Sequence, residues 1–325
     1  MLAFVIRRVL QSVVVMVAVA LIAFVMFRFV GDPVNQMVGV DTPAAEVARL
    51  RQSLGLNDPA PVQFLRFIWN ALHFEFGMSY QFRLPVTQLL AERAPATLEL
   101  AFTAAGFALL VGVIMGVYCA LRRDSLLAKT FQAVSLVGVS LPTFLIGILL
   151  IYLFAVILGW LPSNGRGEVV KFGNWWTTGF LTRSGLRALI LPAITLGLFQ
   201  MTLIMRLVRS EMMEVMRTDY IKFAKARGLT TRSIHFGHAL KNTLIPVITI
   251  AGLQLGSIIA FAIITETVFN WPGMGLLFLK AVQNVDIPIM AAYLMLIGLL
   301  FVIINLIVDL TYGFVDPRLR VAMRT

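Results

Sequence analysis

The stretch TLELAFTAAGFALLVGVIMGVYCAL, residues 97–121, decides the fold of this chain. Its 25 residues include a single charged side chain, Glu99, and about 20 largely apolar residues suffice to cross a membrane as a helix. A second apolar stretch, residues 9–30, contains only Arg28. Four others contain no charged residue; they are 131–159, 188–205, 242–265 and 287–308. Because a lone segment in lipid must satisfy its backbone internally, the sequence predicts an all-α polytopic membrane protein with six transmembrane helices.

The composition supports this class of protein. The 325 residues are 59% hydrophobic and 13% charged, with a mean hydropathy of +0.88, whereas soluble domains carry about 25% charged residues. The first apolar segment follows Arg7 and Arg8 and could be a signal peptide, but its run of about 22 residues exceeds the usual 7–15. A retained first helix is therefore predicted. The lone cysteine, Cys119, excludes an intrachain disulfide.

The distribution of charge predicts the orientation in the membrane. With the N-terminus inside, the inner segments 1–8, 122–129, 206–241 and 313–325 hold sixteen Lys and Arg against five Asp and Glu. The outer segment 28–96 holds six of each. Short loops rich in Lys and Arg remain in the cytoplasm, so both termini are predicted to be cytoplasmic. This bias explains most of the net charge of +11, and anionic lipids can screen the rest, so no nucleic-acid partner is predicted.

The outer segment after the first helix has the pattern of two short helices. In TPAAEVARLRQSLGL, residues 42–56, Thr42 is a candidate N-cap, Pro43 suits the first helical position and Gly55 suits the stop. Residues 62–74, VQFLRFIWNALHF, then form a second amphipathic pattern. Helical patterning with balanced charge predicts a small folded insertion on the outer side.

Motifs for catalysis are missing from the sequence. It contains no GxxxxGK[ST] phosphate loop, no HExxH and no GxSxG. His235 and His238 could share a helix face, but no cysteine or carboxylate accompanies them, so we predict no metal site. The chain is therefore predicted not to be an enzyme and to hold no cofactor of its own.

Few polar groups lie inside the apolar spans. Glu99, Glu266 and Asp309 sit near segment ends, where structural pairing is the favoured role. Three interior amides could line a pathway or join helices, and packing is favoured; they are Gln200, Gln254 and Asn305.

Gly112 and Gly116, four residues apart, fit a close helix contact. The paired tryptophans of the loop 160–187, Trp175 and Trp176, fit an interfacial anchor.

The largest cytoplasmic feature is the loop 206–241. In it, SEMMEVMRTDYIKFAKARGL, residues 210–229, has helical periodicity, with Ser210 as a candidate cap. Thr218 or Asp219 could cap a second short helix that Gly228 ends, and Thr230 or Thr231 could start another. Two interpretations stay open on these grounds. The short helix is either an amphipathic helix on the inner leaflet or a docking surface whose small residues admit another backbone.

The segment KFAKARG, residues 222–228, resembles the cytoplasmic loop of binding-protein-dependent ABC importer permeases, in which EAA is followed after three residues by glycine. Ala224 and Gly228 agree with that pattern. Lys222 stands in place of the glutamate and Phe223 in place of the first alanine, as in the peptide-permease branch of the family. Other stretches along nearly the whole chain are similar to dipeptide and oligopeptide permeases; among them are RAPATLELA (93–101), SLPTFLIGILL (140–150), ETVFNWPGMGLL (266–277) and NLIVDLTYGFVDPRLR (305–320).

The resemblance implies a type I ABC importer permease fold and one membrane half of an importer in the bacterial inner membrane. It implies an N-terminal helix at 1–30, a periplasmic helical insertion at 31–94, a five-helix transmembrane domain at 95–312 with a coupling loop at 209–241, and a cytoplasmic tail at 313–325. The expected partners are a homologous second permease, two cytoplasmic ATPases that use ATP and Mg, and a periplasmic or lipid-anchored solute-binding protein. The expected ATPase contact is Asp219, Tyr220, Ala224, Ala226, Gly228 and Leu229.

The substrate stays open, because this branch includes carriers of dipeptides, oligopeptides, nickel chelates, glutathione and opines. The role of the outer helices at 43–72 also stays open; they either contact the binding protein or cap the bundle. An ion-coupled secondary transporter is the alternative function. It would need coupling carboxylates deep in the bundle, whereas the three available lie near helix ends.

Overall fold

The computed structural model describes residues 2–29, 34, 42–53, 55–173 and 176–315. Its helices and strands, in chain order, are α1 (Leu2–Phe29), α2 (Ala44–Ser53), α3 (Ala60–Leu72), α4 (Val86–Leu121), α5 (Leu126–Ser140), α6 (Thr143–Leu150) with a π-helical continuation (Ile151–Ile157), β1 (Val170–Phe172), β2 (Trp176–Thr178), α7 (Arg183–Val215), α8 (Asp219–Ala226), a π-helical segment (Ser233–Ala239) leading into α9 (Leu240–Val268), α10 (Met274–Gln283) and α11 (Ile287–Val315).

Within the described residues, five helices are long and apolar enough to cross a membrane, and the bent pair α5 and α6 gives a sixth span if it is counted as one. The all-α prediction with six spans is thus confirmed, with a small hairpin added. The predicted continuous helix at 131–159 is wrong, because the chain turns by 115° between α5 and α6. Pro142 explains the break. A proline disfavours helical geometry in the residue before it, and Leu141 is extended, with φ −95° and ψ 139°.

The long helices α4 and α7 pack against each other along the bundle. A Cβ added at Gly116 would lie 2.7 Å from the carbonyl oxygen of Met205, and one at Gly112 would lie 2.9 Å from that of Met201. On the facing helix, a Cβ at Gly197 would lie 2.6 Å from the carbonyl oxygen of Ala104. Only glycine permits such a close approach of two backbones. The predicted close contact at Gly112 and Gly116 is confirmed.

The outer segment forms the two predicted helices, α2 and α3. Gly55 ends the first at φ +65°, with its amide donating to the carbonyl of Gln52, so the predicted stop is confirmed. The rings of Phe64 and Phe67 in α3 lie 5.4 and 6.1 Å from that of Phe24 in α1. These contacts attach the insertion to the first span. The predicted division at residues 94 and 95 falls inside α4, which begins at Val86 and passes through Pro95 without ending.

The loop between α6 and α7 contains the two-stranded hairpin. Its antiparallel register pairs Val170 with Thr178 and Phe172 with Trp176. Trp176 is half-buried in β2, whereas Trp175 lies outside the described residues, so the anchor prediction for the pair stays a prediction. The hairpin lies against α4 through a buried ion pair. Arg166 Nη2 lies 2.5 Å from Glu99 Oε2 and also donates to the carbonyl oxygen of Thr177 at 2.7 Å.

Glu266 forms a second buried polar cluster at the same end of the bundle. Its carboxylate accepts from Thr97 Oγ1 at 2.6 Å and from the amide of Leu276, in the first turn of α10, at 2.9 Å. Trp271, fully buried, donates its indole N–H to the carbonyl of Ala96 at 2.9 Å. A carboxylate at a helix N-terminus satisfies otherwise unpaired amides. Asp309 pairs with Arg8 at 3.1 Å, so the structural pairing predicted for the three carboxylates is confirmed.

We expect Gly116→Ala to lower the free energy of unfolding by about 1–3 kcal/mol, because the added methyl group would overlap the backbone of α7. Gly106→Ala is the matched control on the same helix, since a Cβ there meets no atom within 4 Å and alanine favours the helix. Thermal unfolding of the detergent-solubilised protein measures both. Equal stability of the two variants would contradict the close α4–α7 contact.

Candidate functional site

The short helix α8 lies in the loop between α7 and α9. The prediction that Ser210 starts a separate helix is wrong, because α7 continues without a break to Val215. Its buried face, which includes Val208 and Met212, extends past that position. Thr218 is the N-cap residue of α8, with φ −67° and ψ 155°. Its hydroxyl donates to the carbonyl of Val215 at 2.6 Å instead of capping α8, so it fixes the turn that precedes the helix.

The end of α8 is fixed by a Schellman motif. The amide of Leu229 donates to the carbonyl of Ala224, and the amide of Gly228 donates to that of Lys225. Gly228 has φ +76°, a backbone conformation in which other L-residues are strained. The predicted glycine stop is therefore confirmed. Downstream, Thr230 Oγ1 accepts from the amide of Ser233 at 3.3 Å, as predicted for the next helical start.

One face of α8 packs onto the chain's own spans. Ile221 is fully buried and Ala224 is 6% exposed, and both belong to an apolar cluster with Met212 of α7 and Ile234 and Ala239 of the π-helical segment. Leu121, at the end of α4, packs against the same cluster. The structure therefore places Ala224, a predicted contact residue, on the inner face of α8. There its small side chain allows the helix to approach the bundle.

The opposite face of α8 is exposed. Of the other five predicted contact residues, Asp219, Tyr220 and Ala226 are exposed on the helix, and Gly228 and Leu229 are exposed in the turn that follows it. Phe223 also lies on this face, with 65% of its surface exposed and its ring 5.8 Å from the guanidinium carbon of Arg227. Phe223 is not among the predicted contact residues, although its position two residues after Ile221 places it on a different side of the helix from that residue. Exposed aromatic groups on a polar rim are typical of protein interaction sites.

A side-chain hydrogen bond also connects α8 to α9. Asn242 Nδ2 donates to Tyr220 Oη at 2.6 Å. Near the start of α8, Lys222 Nζ lies 2.8 Å from Asp219 Oδ1, in an exposed pair that contributes little to stability. The helix is thus held by apolar packing below and by Tyr220 at its side, while its outer face is left accessible.

The three amides predicted as pathway candidates occupy different surroundings. Gln200 of α7 is buried, and its Oε1 has no hydrogen-bond partner among the described residues. Gln254 of α9 is half-buried. Asn305 donates to the carbonyl of Phe301 and lines an open cavity between α1 and α11 that neither glutamine lines. Their role in a pathway stays a prediction. Within the described residues, no group of three or more His, Cys, Asp or Glu is placed to hold a metal.

The membrane-spanning helices define a multi-pass membrane protein, with the short helix α8 exposed at one end. The sequence matches the family of the binding-protein-dependent transport system inner membrane component over residues 76–321, and that of its N-terminal region over residues 1–101. The chain belongs to this family of inner membrane transport components. The solved structure of the inward-facing MetNI methionine ABC transporter has a similar fold, with a TM-score of 0.54 and 20% identity over 70% of this chain and 96% of that one.

Curated relatives match over almost their full length. The chain is 37% identical to the dipeptide transport system permease protein DppB of Escherichia coli (strain K12), covering 98% of this chain and 99% of the relative. It is 38% identical, with the same coverage, to the di/tripeptide transport system permease protein DppB of Pseudomonas aeruginosa (strain UCBPP-PA14). Family membership makes the chain a non-catalytic translocation component of a system with a binding protein and an ATPase, which uses the ATP. The ion-coupled alternative is thereby excluded.

We expect Gly228→Ala to loosen α8, because a left-handed conformation costs an L-residue about 1–2 kcal/mol. Amide hydrogen exchange in residues 219–229 should become about tenfold faster. Gly228→Asn should change exchange less, since asparagine tolerates this conformation. Gly237→Ala is the control, because a Cβ there lies 3.7 Å from its nearest neighbour and φ is not positive. Unchanged exchange in Gly228→Ala would show that the Schellman motif does not hold the helix.

Proposed function

We propose that this chain forms half of the translocation pathway of an ATP-driven importer for di- or oligopeptides, and that the outer face of α8 docks on an ATPase subunit. One observation supports the docking: α8 packs against the bundle on one face and is exposed on the other. Ile221 and Ala224 are buried, whereas Tyr220, Phe223 and Leu229 are exposed. Large exposed aromatic side chains are the residues that dominate the energetics of protein interfaces.

The attachment of α8 explains how an ATPase could move the membrane half. Its buried face rests on the end of α7, and Tyr220 is bonded to Asn242 at the start of α9. A displacement of α8 is therefore passed to two spans rather than absorbed by a flexible loop. ATP can shift the equilibrium between the inward-facing and outward-facing states only by the difference in its binding free energy to the two states. A firm attachment of α8 transmits that difference to the membrane helices.

Peptides are the proposed substrate class because the relatives with the same coverage are named for dipeptide and di/tripeptide transport. The other expected partners follow from the proposed mechanism. A homologous second permease would complete the pathway, and two ATPases would carry ATP and Mg. A periplasmic or lipid-anchored binding protein would deliver the peptide, with α2 and α3 either contacting it or capping the bundle.

We expect Phe223→Asp to abolish the stimulation of ATP hydrolysis by a dipeptide-loaded binding protein, because a carboxylate would replace the aromatic contact with the ATPase. The control is Phe236→Asp in the π-helical segment, where phenylalanine is 54% exposed and lies outside α8. The assay uses the complete transporter in liposomes, with dipeptide uptake measured alongside. Normal coupled uptake by Phe223→Asp would refute the docking. Coupled transport of a nickel chelate but no peptide would refute only the substrate.

The proposed orientation places both termini and α8 in the cytoplasm, because the loops on that side carry the excess of Lys and Arg. The lone cysteine, Cys119, is fully buried, so single introduced cysteines can report on each side. In right-side-out vesicles, a membrane-impermeant maleimide should label Lys171→Cys in β1 at once. Phe223→Cys should react only after permeabilisation. The reverse labelling pattern would overturn the orientation.

A further inference from the structure

A cavity of about 420 Å³ lies beside α8, between the turn that joins α4 to α5 and the turn that joins α7 to α8. Arg122, Arg123 and Asp124 line it on one side, and Arg217 and His235 line it on the other. Met213 and Met216 contribute apolar surface. The cavity is therefore shared by two separate loops and has a mixed cationic and apolar lining.

The charge of this cavity is unbalanced. Three arginines face one carboxylate, Asp124, which leaves a formal charge of +2 with His235 neutral. Arg123 Nε lies 3.5 Å from Asp124 Oδ2, and both side chains are exposed. Among the described residues, the side chains of Arg122 and Arg217 have neither an ion-pair partner nor a hydrogen-bond partner. Guanidinium groups match phosphate oxygens in a planar, bidentate geometry, so the cavity favours a phosphate group.

The position of the cavity in the bundle favours a lipid as the source of that phosphate. Arg122 directly follows the span that ends at Leu121, so the arginines lie where a helix leaves the hydrocarbon. The next helix begins with Leu126 and Leu127, both exposed and apolar. Acyl chains could contact these leucines while the headgroup faces the arginines. Basic pockets at the ends of transmembrane helices are known places for anionic headgroups.

We propose that this cavity binds the phosphate headgroup of an anionic phospholipid. The headgroup bridges Arg122, at the end of α4, and Arg217, which directly precedes the N-cap of α8. A bound lipid thus ties the α8 turn to the α4–α5 turn, in addition to the apolar cluster beneath the helix. The lipid site itself does not depend on the docking of α8 on an ATPase.

The test measures binding of phosphatidylglycerol to the complete transporter by native mass spectrometry, with phosphatidylcholine as the neutral lipid. We expect Arg122→Gln combined with Arg217→Gln to raise the Kd for phosphatidylglycerol about 30-fold, which corresponds to about 1 kcal/mol for each arginine. Binding of phosphatidylcholine should not change. The matched control is Arg232→Gln, an exposed arginine of the same loop that does not line the cavity.

A second variant is expected to bind the lipid more tightly, and misfolding could not produce that result. Asp124→Asn removes the only carboxylate of the lining and should lower the Kd about fivefold. Equal Kd values for wild type and the double variant would overturn the proposal, as would an equal loss in Arg232→Gln. Displacement of the lipid by millimolar sodium phosphate would assign the site to free phosphate instead. Binding to the isolated permease pair that disappears in the complete transporter would show that a partner protein fills the cavity.

Discussion

The close approach of α4 and α7 at Gly112, Gly116 and Gly197 is the contact on which the other elements depend. In lipid, no hydrophobic driving force brings helices together, so backbone contact through small residues has to do so. Both helices run from one end of the bundle to the other. The N-terminal half of α4 holds Glu99, and its C-terminal end adjoins the cluster beneath α8. The Glu99 ion pair and the apolar cluster beneath α8 are therefore both attached to the α4–α7 pair.

The two ends of this pair are held by different forces. At the Glu99 end, buried carboxylates organise loops that have little apolar surface of their own, as with Arg166 and the β1–β2 hairpin. Breaking such a pair would leave an unpaired buried charge, which gives these contacts their specificity. At the α8 end, the buried contacts are mainly apolar, with the Asn242–Tyr220 hydrogen bond beside them, and the charged residues of α8 are exposed. The proposed ATPase contact and the proposed lipid site both lie at this end.

The spans, the outer helices and the glycine that ends α8 could be predicted from sequence, because hydropathy and chain reversal are local properties. Tertiary features could not. Arg166 reaches Glu99 across 67 positions in the chain, and no local pattern indicates that pairing. The inward position of Ala224 depends on how α8 is rotated against α7, which only packing decides. The bend at Leu141 was open to prediction, since Pro142 signals it, but an uninterrupted apolar run obscured the signal.

The length of α7 determines how far its two ends move relative to each other when the helix tilts. A helix of 33 residues is about 50 Å long, so a tilt of about 5° about one end displaces the other by roughly 4 Å. The apolar cluster beneath α8 lies at the C-terminal end of α7, so a tilt that pivots there would move this cluster least. The N-terminal end of α7, which follows β2 in the chain, would move by the full distance.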